Sequence, residues 1–200
     1  MNIAVPIPEK QAIERRLALV TDDLTIRGTP VEAMSRLVRE AVGDEVATEV
    51  AKEAGFKTAS FNMLQKYSLK QFLQFERAAA EHIAVITGGF DEAIFKIGAA
   101  AVHLFFDSVA GKTMKLLAGR EPHRLLSAVP NGYSVLVNFG EREYQKSGDH
   151  AGVFTFRREL LGPVHTAGIF DAALRAVYGV DPTIALDSSS PVDFKFRISW

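Results

Sequence analysis

The sequence predicts an α+β fold in which a helical layer of about five to seven helices packs on an antiparallel sheet of about four to five strands. Three observations carry this prediction. Hydrophobic residues follow a helical period up to Pro130, and they then alternate over three segments that end at Arg158. One more amphipathic segment and two further alternating segments complete the chain. This order, with most helices before the strands, is typical of an antiparallel sheet that packs against helices.

The composition is that of an ordinary globular protein. Of 200 residues, 48% are hydrophobic and 24% are charged, and the formal net charge is −1. We expect a single α+β domain over 17–200 that follows a loose N-terminal segment over 1–16. The balanced charge disfavours a nucleic acid partner, because binding a polyanion needs a surplus of Lys and Arg. The chain has no cysteine, which excludes disulfides, thiol catalysis and cysteine-ligated zinc.

The sequence contains neither a signal peptide pattern nor a membrane span. No apolar core follows a basic start at the N-terminus. The most apolar region, Ile94–Val109, is interrupted by Lys96, His103 and Asp107 and is too polar for a transmembrane helix. We therefore expect a cytoplasmic protein.

Start and stop signals place the helices. Thr29 with Glu32, and Ser68 with Gln71, have the spacing of capping boxes, and each precedes an amphipathic helix. The longest predicted helix runs over 90–109 and is apolar almost all round, so we expect it at the centre of the fold. Shorter helices are expected over 112–117 and 122–128, and a longer one over 164–178. Near the N-terminus, a helix over 12–20 competes with a strand over 24–27.

Period-two alternation places the strands. It predicts three strands over 133–139, 141–146 and 152–158, joined by short turns. A closing pair is expected over 183–186 and 194–200.

Apolar aromatic residues form the candidate ligand site. The chain has 14 phenylalanines, a high number for its length. Several of them, together with one histidine of the central helix, fall on the predicted core and could line an apolar cavity. These residues are Phe95, His103, Phe106, Phe154, Phe156 and Phe170. The alternative is that the same side chains fill a solid core.

Other motifs that carry chemistry are incomplete. Asp107–Thr113 ends like a phosphate-binding loop, but Phe106 stands where that loop needs glycine, and a helix precedes it in place of a strand. Gly111 is better explained as a helix terminator. The five histidines contain no pair at metal-binding helical spacing, and no GxSxG motif occurs. We expect no catalytic residue, no metal and no nucleotide.

Several sequence blocks carry a family resemblance. They are TIRGTPVEAMSRLV, FDEAIFKIGAAAVHLFFDSVAGKTMKLLAG, HRLLSAVPNGYSVLVNFGEREYQ, GPVHTAGIFDAALRAVYGVDPTIAL and DFKFRISW. Through them the chain resembles, over 17–200, an uncharacterised family known mainly from myxobacteria, a domain of unknown function. More distantly, it is similar to vinyl-reductase-type, haem–NO-binding-associated and TRAPP-subunit-like domains. The resemblance implies the fold and not an activity, because function resides in sites.

The sites of those relatives do not carry over to this sequence. Haem–NO sensors have an axial histidine and a Tyr-x-Ser-x-Arg clamp, and the segment Tyr133-Ser134-Val135 does not continue that pattern. Vinyl-reductase-type domains often carry a cysteine-rich metal site, and TRAPP-like subunits can be acylated on a cysteine inside an apolar tunnel. This chain has no cysteine for either. We therefore expect no haem and no other cofactor. The apolar tunnel is the one feature of these relatives that the resemblance still implies for this chain.

The sequence favours a non-enzymatic sensory or regulatory module that binds a small apolar ligand or a protein partner. Two alternatives stay open: a scaffold or assembly protein with a solid core, and an enzyme of unknown type. We also expect a homodimer, because Val46, Val50 and Phe75 lie off the apolar stripes of their helices and would form an exposed patch. Packing of Phe75 against residues 56–64 is the alternative.

Overall fold

The computed structural model describes residues 3, 5–188 and 190–200, without the side chains of residues 110 and 117. Within these residues it has eight helices. They are α1 (Glu9–Leu17), α2 (Gly28–Val42), α3 (Asp44–Glu53), α4 (Leu69–Thr87), α5 (Phe90–Asp107), α6 (Val109–Ala118), α7 (Pro122–Leu136) and α8 (Pro163–Tyr178). The strands are β1 (Thr25–Arg27), β2 (Lys66–Ser68), β3 (Glu141–Gly148), β4 (Ala151–Arg157), β5 (Thr183–Ser188) and β6 (Phe194–Ser199). The predicted α+β fold is confirmed.

Four of the strands form one antiparallel sheet in the order β3-β4-β6-β5. Phe154 of β4 lies opposite Phe196 of β6, and Phe156 lies opposite Phe194. Because side chains alternate across a strand, these four rings share the face that packs against helix α8. Strands β1 and β2 form a separate antiparallel ribbon between the helices. The closing strand pair lies where the sequence predicted it.

Helices α5 and α8 cross in direct backbone contact. A Cβ atom added at Gly98 of α5 would lie 2.1 Å from the carbonyl oxygen of His165. A Cβ added at Gly168 of α8 would lie 2.0 Å from the carbonyl oxygen of Phe95. Only glycine permits this approach at either position. Helix α5 also contacts α2, α4 and α6, which agrees with the central position that the sequence predicted.

The structure differs from the sequence prediction at residues 133–136. They continue helix α7, whereas alternation predicted a strand over 133–139. Leu126 and Tyr133 are buried, and Val129 between them packs against the core, so the helical spacing places one face inward. Burial of this face outweighs the local preference of the β-branched residues for a strand.

The N-terminal segment also differs from the prediction. Residues 9–17, most of which were expected to be loose, form helix α1, which buries Ala12, Ile13 and Arg16 and contacts α4 and α5. Pro8 stands directly before this helix, so its missing N–H costs no helical hydrogen bond.

The predicted capping boxes do not form. Helix α2 starts at Gly28 without a side-chain cap. Glu32 Oε2 accepts a hydrogen bond from the Phe61 backbone N–H at 2.9 Å, and Glu32 Oε1 accepts one from Arg36. Gln71 donates to the Gly55 carbonyl at 3.0 Å. These polar side chains hold the connection between α3 and β2 against the helices.

That connection covers the surface where the sequence predicted a dimer contact. Phe75 and Val50 are fully buried, and the Phe75 ring lies 5.8 Å from Phe56 and 5.7 Å from Phe61. The alternative packing is therefore the one observed, and Phe75 belongs to the core. The exposed patch that motivated the homodimer is therefore absent at Phe75 and Val50. The homodimer itself stays a prediction.

Gly111 was expected to end a helix and instead lies in the first turn of α6, where Ser108 Oγ caps its backbone N–H. Ser108 alone therefore separates α5 from α6. Across the part of the chain that the structure describes, no helix has the length and apolar character to cross a bilayer.

Candidate functional site

Three of the predicted ligand-binding residues lie together beneath the sheet. The rings of Phe154 and Phe170 are 4.7 Å apart, and those of Phe156 and Phe170 are 6.1 Å apart. All three are at most 1% exposed, and half-buried Phe95 packs beside them. The rings contact one another directly, and the two clefts described below lie elsewhere, with only Phe95 of this group at the edge of one.

The other two predicted residues lie further along α5. Phe106 is buried with Val102 and Leu125 in a separate cluster, and the Lys115 ammonium lies 4.6 Å from the centre of its ring. His103 is exposed to solvent. The structure therefore does not bring His103 to the phenylalanines of the sheet. A ligand-binding role for this set stays a prediction.

A buried ionic cluster that the sequence analysis missed joins helices α1, α4 and α8. Arg16 donates a hydrogen bond to Glu9 within α1, and His165 Nδ1 is hydrogen-bonded to Glu76 Oε1. All four side chains are at most 1% exposed. Burial raises the pKa of the Glu9 carboxyl, and the Arg16 guanidinium opposes this rise. The Glu76–His165 pair fixes α4 relative to α8, because removing either partner leaves an unpaired polar group in the core.

A second buried group lies where α7 meets strand β3. The Arg142 guanidinium stacks 4.2 Å from the centre of the Tyr133 ring, and its Nη2 lies 2.5 Å from Glu159 Oε2. Burial raises the pKa of Tyr133, and the Glu159 carboxylate acts in the same direction. Neither buried group borders either of the two clefts. Because they lack access to solvent, both are suited to holding the fold and not to binding a ligand.

One sequence signal could have revealed the ionic cluster. Glu76 follows Phe72 by four positions and Leu73 by three, so it stands on the apolar stripe of α4. A carboxylate on such a stripe needs a buried partner. The identity of that partner has no local signal, because His165 is 89 residues away.

A cleft of about 480 Å³ opens where the C-terminal end of α8 meets the junction of α6 and α7, the β3–β4 turn and the end of β6. We call it the Trp200 cleft. Its described lining residues are Gly119, Arg120, Pro122, His150, Val177, Tyr178, Val180 and Trp200. Tyr178 Oη donates to the Glu121 carbonyl at 3.0 Å, which fixes its ring at the wall. The volume is within the usual range for small-molecule sites.

His123 packs against the Trp200 ring, and Tyr144 is hydrogen-bonded to His123. The His123 ring lies 4.8 Å from Trp200 in an edge-to-face arrangement. His123 Nε2 is 3.0 Å from the Asp149 carbonyl oxygen, so this nitrogen donates and Nδ1 accepts from Tyr144 Oη at 2.5 Å. Burial raises the pKa of Tyr144 to about 12, so its hydroxyl keeps the proton that this hydrogen bond needs. The polar pair therefore holds the aromatic wall in place.

A second cleft, of about 450 Å³, lies between α8 and the start of β5, and we call it the Arg175 cleft. Ile3, Phe95, Pro182 and Ile184 are among its lining residues. Its arginine is already neutralised, because Arg175 Nε is 2.9 Å from Asp171 and its Nη1 pairs with Asp181. The two clefts thus have similar size and different electrostatics.

Comparison with known proteins gives a family and a fold. The model of the family described as "Protein of unknown function (DUF2378)" matches residues 24–200. No curated protein matches the chain.

Solved structures of H-NOX proteins share the fold. The Fe(II) unliganded H-NOX protein from K. algicida has a TM-score of 0.69 at 13% identity, over 87% of this chain and 96% of that chain. A mutant of the H-NOX protein from T. tengcongensis has a TM-score of 0.67 at 13% identity, over 87% and 97%. A structure from work on haem redox potential and porphyrin distortion has a TM-score of 0.66 at 14% identity, over 88% and 100%. The predicted similarity to haem–NO-binding domains is confirmed for the fold alone.

Proposed function

This chain belongs to the DUF2378 family of proteins of unknown function, and we propose that it is a non-enzymatic sensory or regulatory module that binds a small, largely apolar ligand in the Trp200 cleft. The observation that carries the proposal is the cleft itself. It combines three aromatic or aliphatic walls, Trp200, Tyr178 and Val177, with few polar groups. Small-molecule sites have this composition.

The position of the cleft supports a regulatory role. Its walls come from four segments that meet only in the folded chain, so a ligand would contact α8 and the sheet together. Helix α8 is also the helix that crosses α5 and carries His165 of the buried ionic cluster. A ligand bound at its C-terminal end would therefore contact a helix that packs against the core, and it would act as a signal by binding one position of that helix more tightly than another.

The described residues do not form a haem site. A haem site needs an axial ligand beside a slot for the porphyrin. The buried histidine, His165, is held by Glu76, and the backbone contact at Gly98 leaves no slot between α5 and α8. His103 is exposed on α5. The proposed ligand is therefore an organic molecule other than haem.

Energy transfer from Trp200 tests the proposal. Trp200 is the single tryptophan of the chain, so its emission reports on this cleft. Phenylnaphthylamine, an uncharged apolar dye, is titrated into the protein while tryptophan is excited selectively. We expect saturable sensitised emission from about one dye per chain.

Two matched variants place the binding site. Val180→Phe fills the Trp200 cleft, and we expect it to abolish the sensitised emission. Thr183→Phe adds the same bulk to the Arg175 cleft, and we expect no change. Absence of energy transfer in the wild-type protein, or equal loss in both variants, overturns the proposal.

A further inference from the structure

We infer that the ligand of the Trp200 cleft carries a carboxylate, which Arg120 and His150 recognise. This inference rests on the proposed function and names its ligand class. Both side chains line the cleft and are exposed to solvent. Within the described part of the chain, neither side chain makes a hydrogen bond or an ion pair. The guanidinium of Arg120 is therefore an uncompensated positive charge at the mouth of an aromatic cleft.

The neighbouring carboxylates are already engaged with other cations. Glu121 adjoins Arg120 in sequence, but its Oε2 lies 3.3 Å from Arg124 Nε. Asp149 adjoins His150, and its Oδ1 lies 3.3 Å from Lys146 Nζ. No acidic side chain is among the described residues that line the Trp200 cleft. The cleft thus favours an anion.

The Arg175 cleft provides the contrast. Its arginine pairs with both Asp171 and Asp181, which leaves little positive charge for a ligand. The two clefts differ by only about 30 Å³ in volume, since they measure about 480 and 450 Å³. Charge, and not size, therefore distinguishes the Trp200 cleft.

The chemistry of the lining residues defines the ligand class. A guanidinium binds a carboxylate through two parallel hydrogen bonds, which fixes its orientation as well as its charge. The rings of Trp200 and Tyr178 offer apolar surface for the rest of the molecule. A small carboxylic acid with an aromatic or aliphatic body combines both features.

The test compares three probes that share one phenylpropyl body. They are hydrocinnamate, hydrocinnamyl alcohol and phenylpropylammonium, and Trp200 emission reports their binding. We expect the carboxylate to bind about tenfold more tightly than the alcohol, as one charge-assisted contact provides. We expect the ammonium to bind more weakly than the alcohol, because Arg120 repels it.

Three variants test which residue provides the positive charge that binds the carboxylate. Arg120→Gln is expected to remove most of the carboxylate's advantage in affinity over the alcohol. His150→Gln is expected to reduce carboxylate affinity by a smaller factor. Arg175→Gln removes an exposed arginine from the other cleft and is expected to change neither affinity.

The outcomes separate this inference from the proposed function. The ligand class is overturned if carboxylate and alcohol bind with equal affinity, or if the Arg120→Gln protein still prefers the carboxylate. In either case, binding of the dye would still support the proposed function. If neither the dye nor any probe changes Trp200 emission, both are overturned.

Discussion

Glu76 on helix α4 and His165 on helix α8 form a hydrogen-bonded pair whose side chains are 0% and 1% exposed. The backbone of His165 meets α5 at Gly98, so a single residue connects three helices through its side chain and its carbonyl oxygen. Desolvation of both polar groups is offset only while the pair is intact. The pair is therefore expected to specify how the helices are positioned.

We predict that Glu76→Ala lowers the free energy of unfolding by about 3–5 kcal/mol, since it leaves His165 Nδ1 unpaired in the core. Urea denaturation followed by circular dichroism measures this loss. The double variant Glu76→Leu/His165→Leu is expected to lose less than the sum of its two single variants, because no unpaired polar group remains.

Glu81→Ala is the control for this prediction. Glu81 lies on the same helix and pairs with Lys10 at 2.9 Å, but its side chain is 42% exposed. Its loss should cost at most about 1 kcal/mol. If Glu76→Ala is no more destabilising than Glu81→Ala, the buried pair does not have the role described.

The crossing of α5 and α8 gives a second prediction. Gly98→Ala is expected to cost about 3 kcal/mol or more, because its Cβ would meet the backbone carbonyl of His165, which cannot rotate away. Thermal unfolding of the variant should show a clear decrease in Tm.

Gly132→Ala provides the matched control within a helix. An added Cβ there would lie 3.8 Å from the Met114 methyl, an ordinary contact. This variant should gain up to about 1 kcal/mol, since alanine is the better helix former. Equal Tm changes in the two glycine variants would contradict the backbone crossing.

The burial of Phe75 gives a third prediction. Phe75→Ala is expected to cost about 3–5 kcal/mol, because it removes a ring packed against Phe56 and Phe61. Val85→Ala, at a position 92% exposed on the same helix, should stay within about 0.5 kcal/mol of wild type. A well-folded Phe75→Glu protein would argue that Phe75 faces a surface after all.

The alkaline stability of the protein tests the support behind Trp200. The pKa of Tyr144 rises from 10.0 to about 12 on folding, so the folded state holds its phenolic proton more tightly than the unfolded state. The resulting stability is complete below pH 10 and is lost as the pH rises to about 12. Tyr144→Phe should therefore show a shallower fall in unfolding free energy across this interval. Urea midpoints at several pH values measure it, and parallel curves would contradict the assignment.

Local patterns in the sequence determined most of the elements. The alternation of Phe154 and Phe156 with Thr155 and Arg157 predicted strand β4, and Gly179 marked the end of α8. These signals work because side-chain period and glycine conformation are properties of a few adjacent residues. The aromatic core beneath the sheet follows from the same alternation.

Tertiary structure determined the secondary structure and burial of segments whose local signals were weak or conflicting. Residues 133–136 are β-branched or aromatic in part, yet they complete helix α7, because a helix buries Tyr133 beneath Arg142. Phe75 is interior only because the connection between α3 and β2 folds over it. Packing energy from distant segments outweighs a preference of a few tenths of a kcal/mol per residue.

The candidate site depended almost wholly on the tertiary structure. Arg120, His150 and Trp200 lie in three separate segments, and nothing in the spacing of these residues indicates that they share one cleft. The sequence determined that the chain has one tryptophan and a surplus of phenylalanines, and thus an aromatic interior. The fold decided which aromatic residues face a cleft and which arginine stays unpaired beside them, because both depend on contacts between residues far apart in the chain.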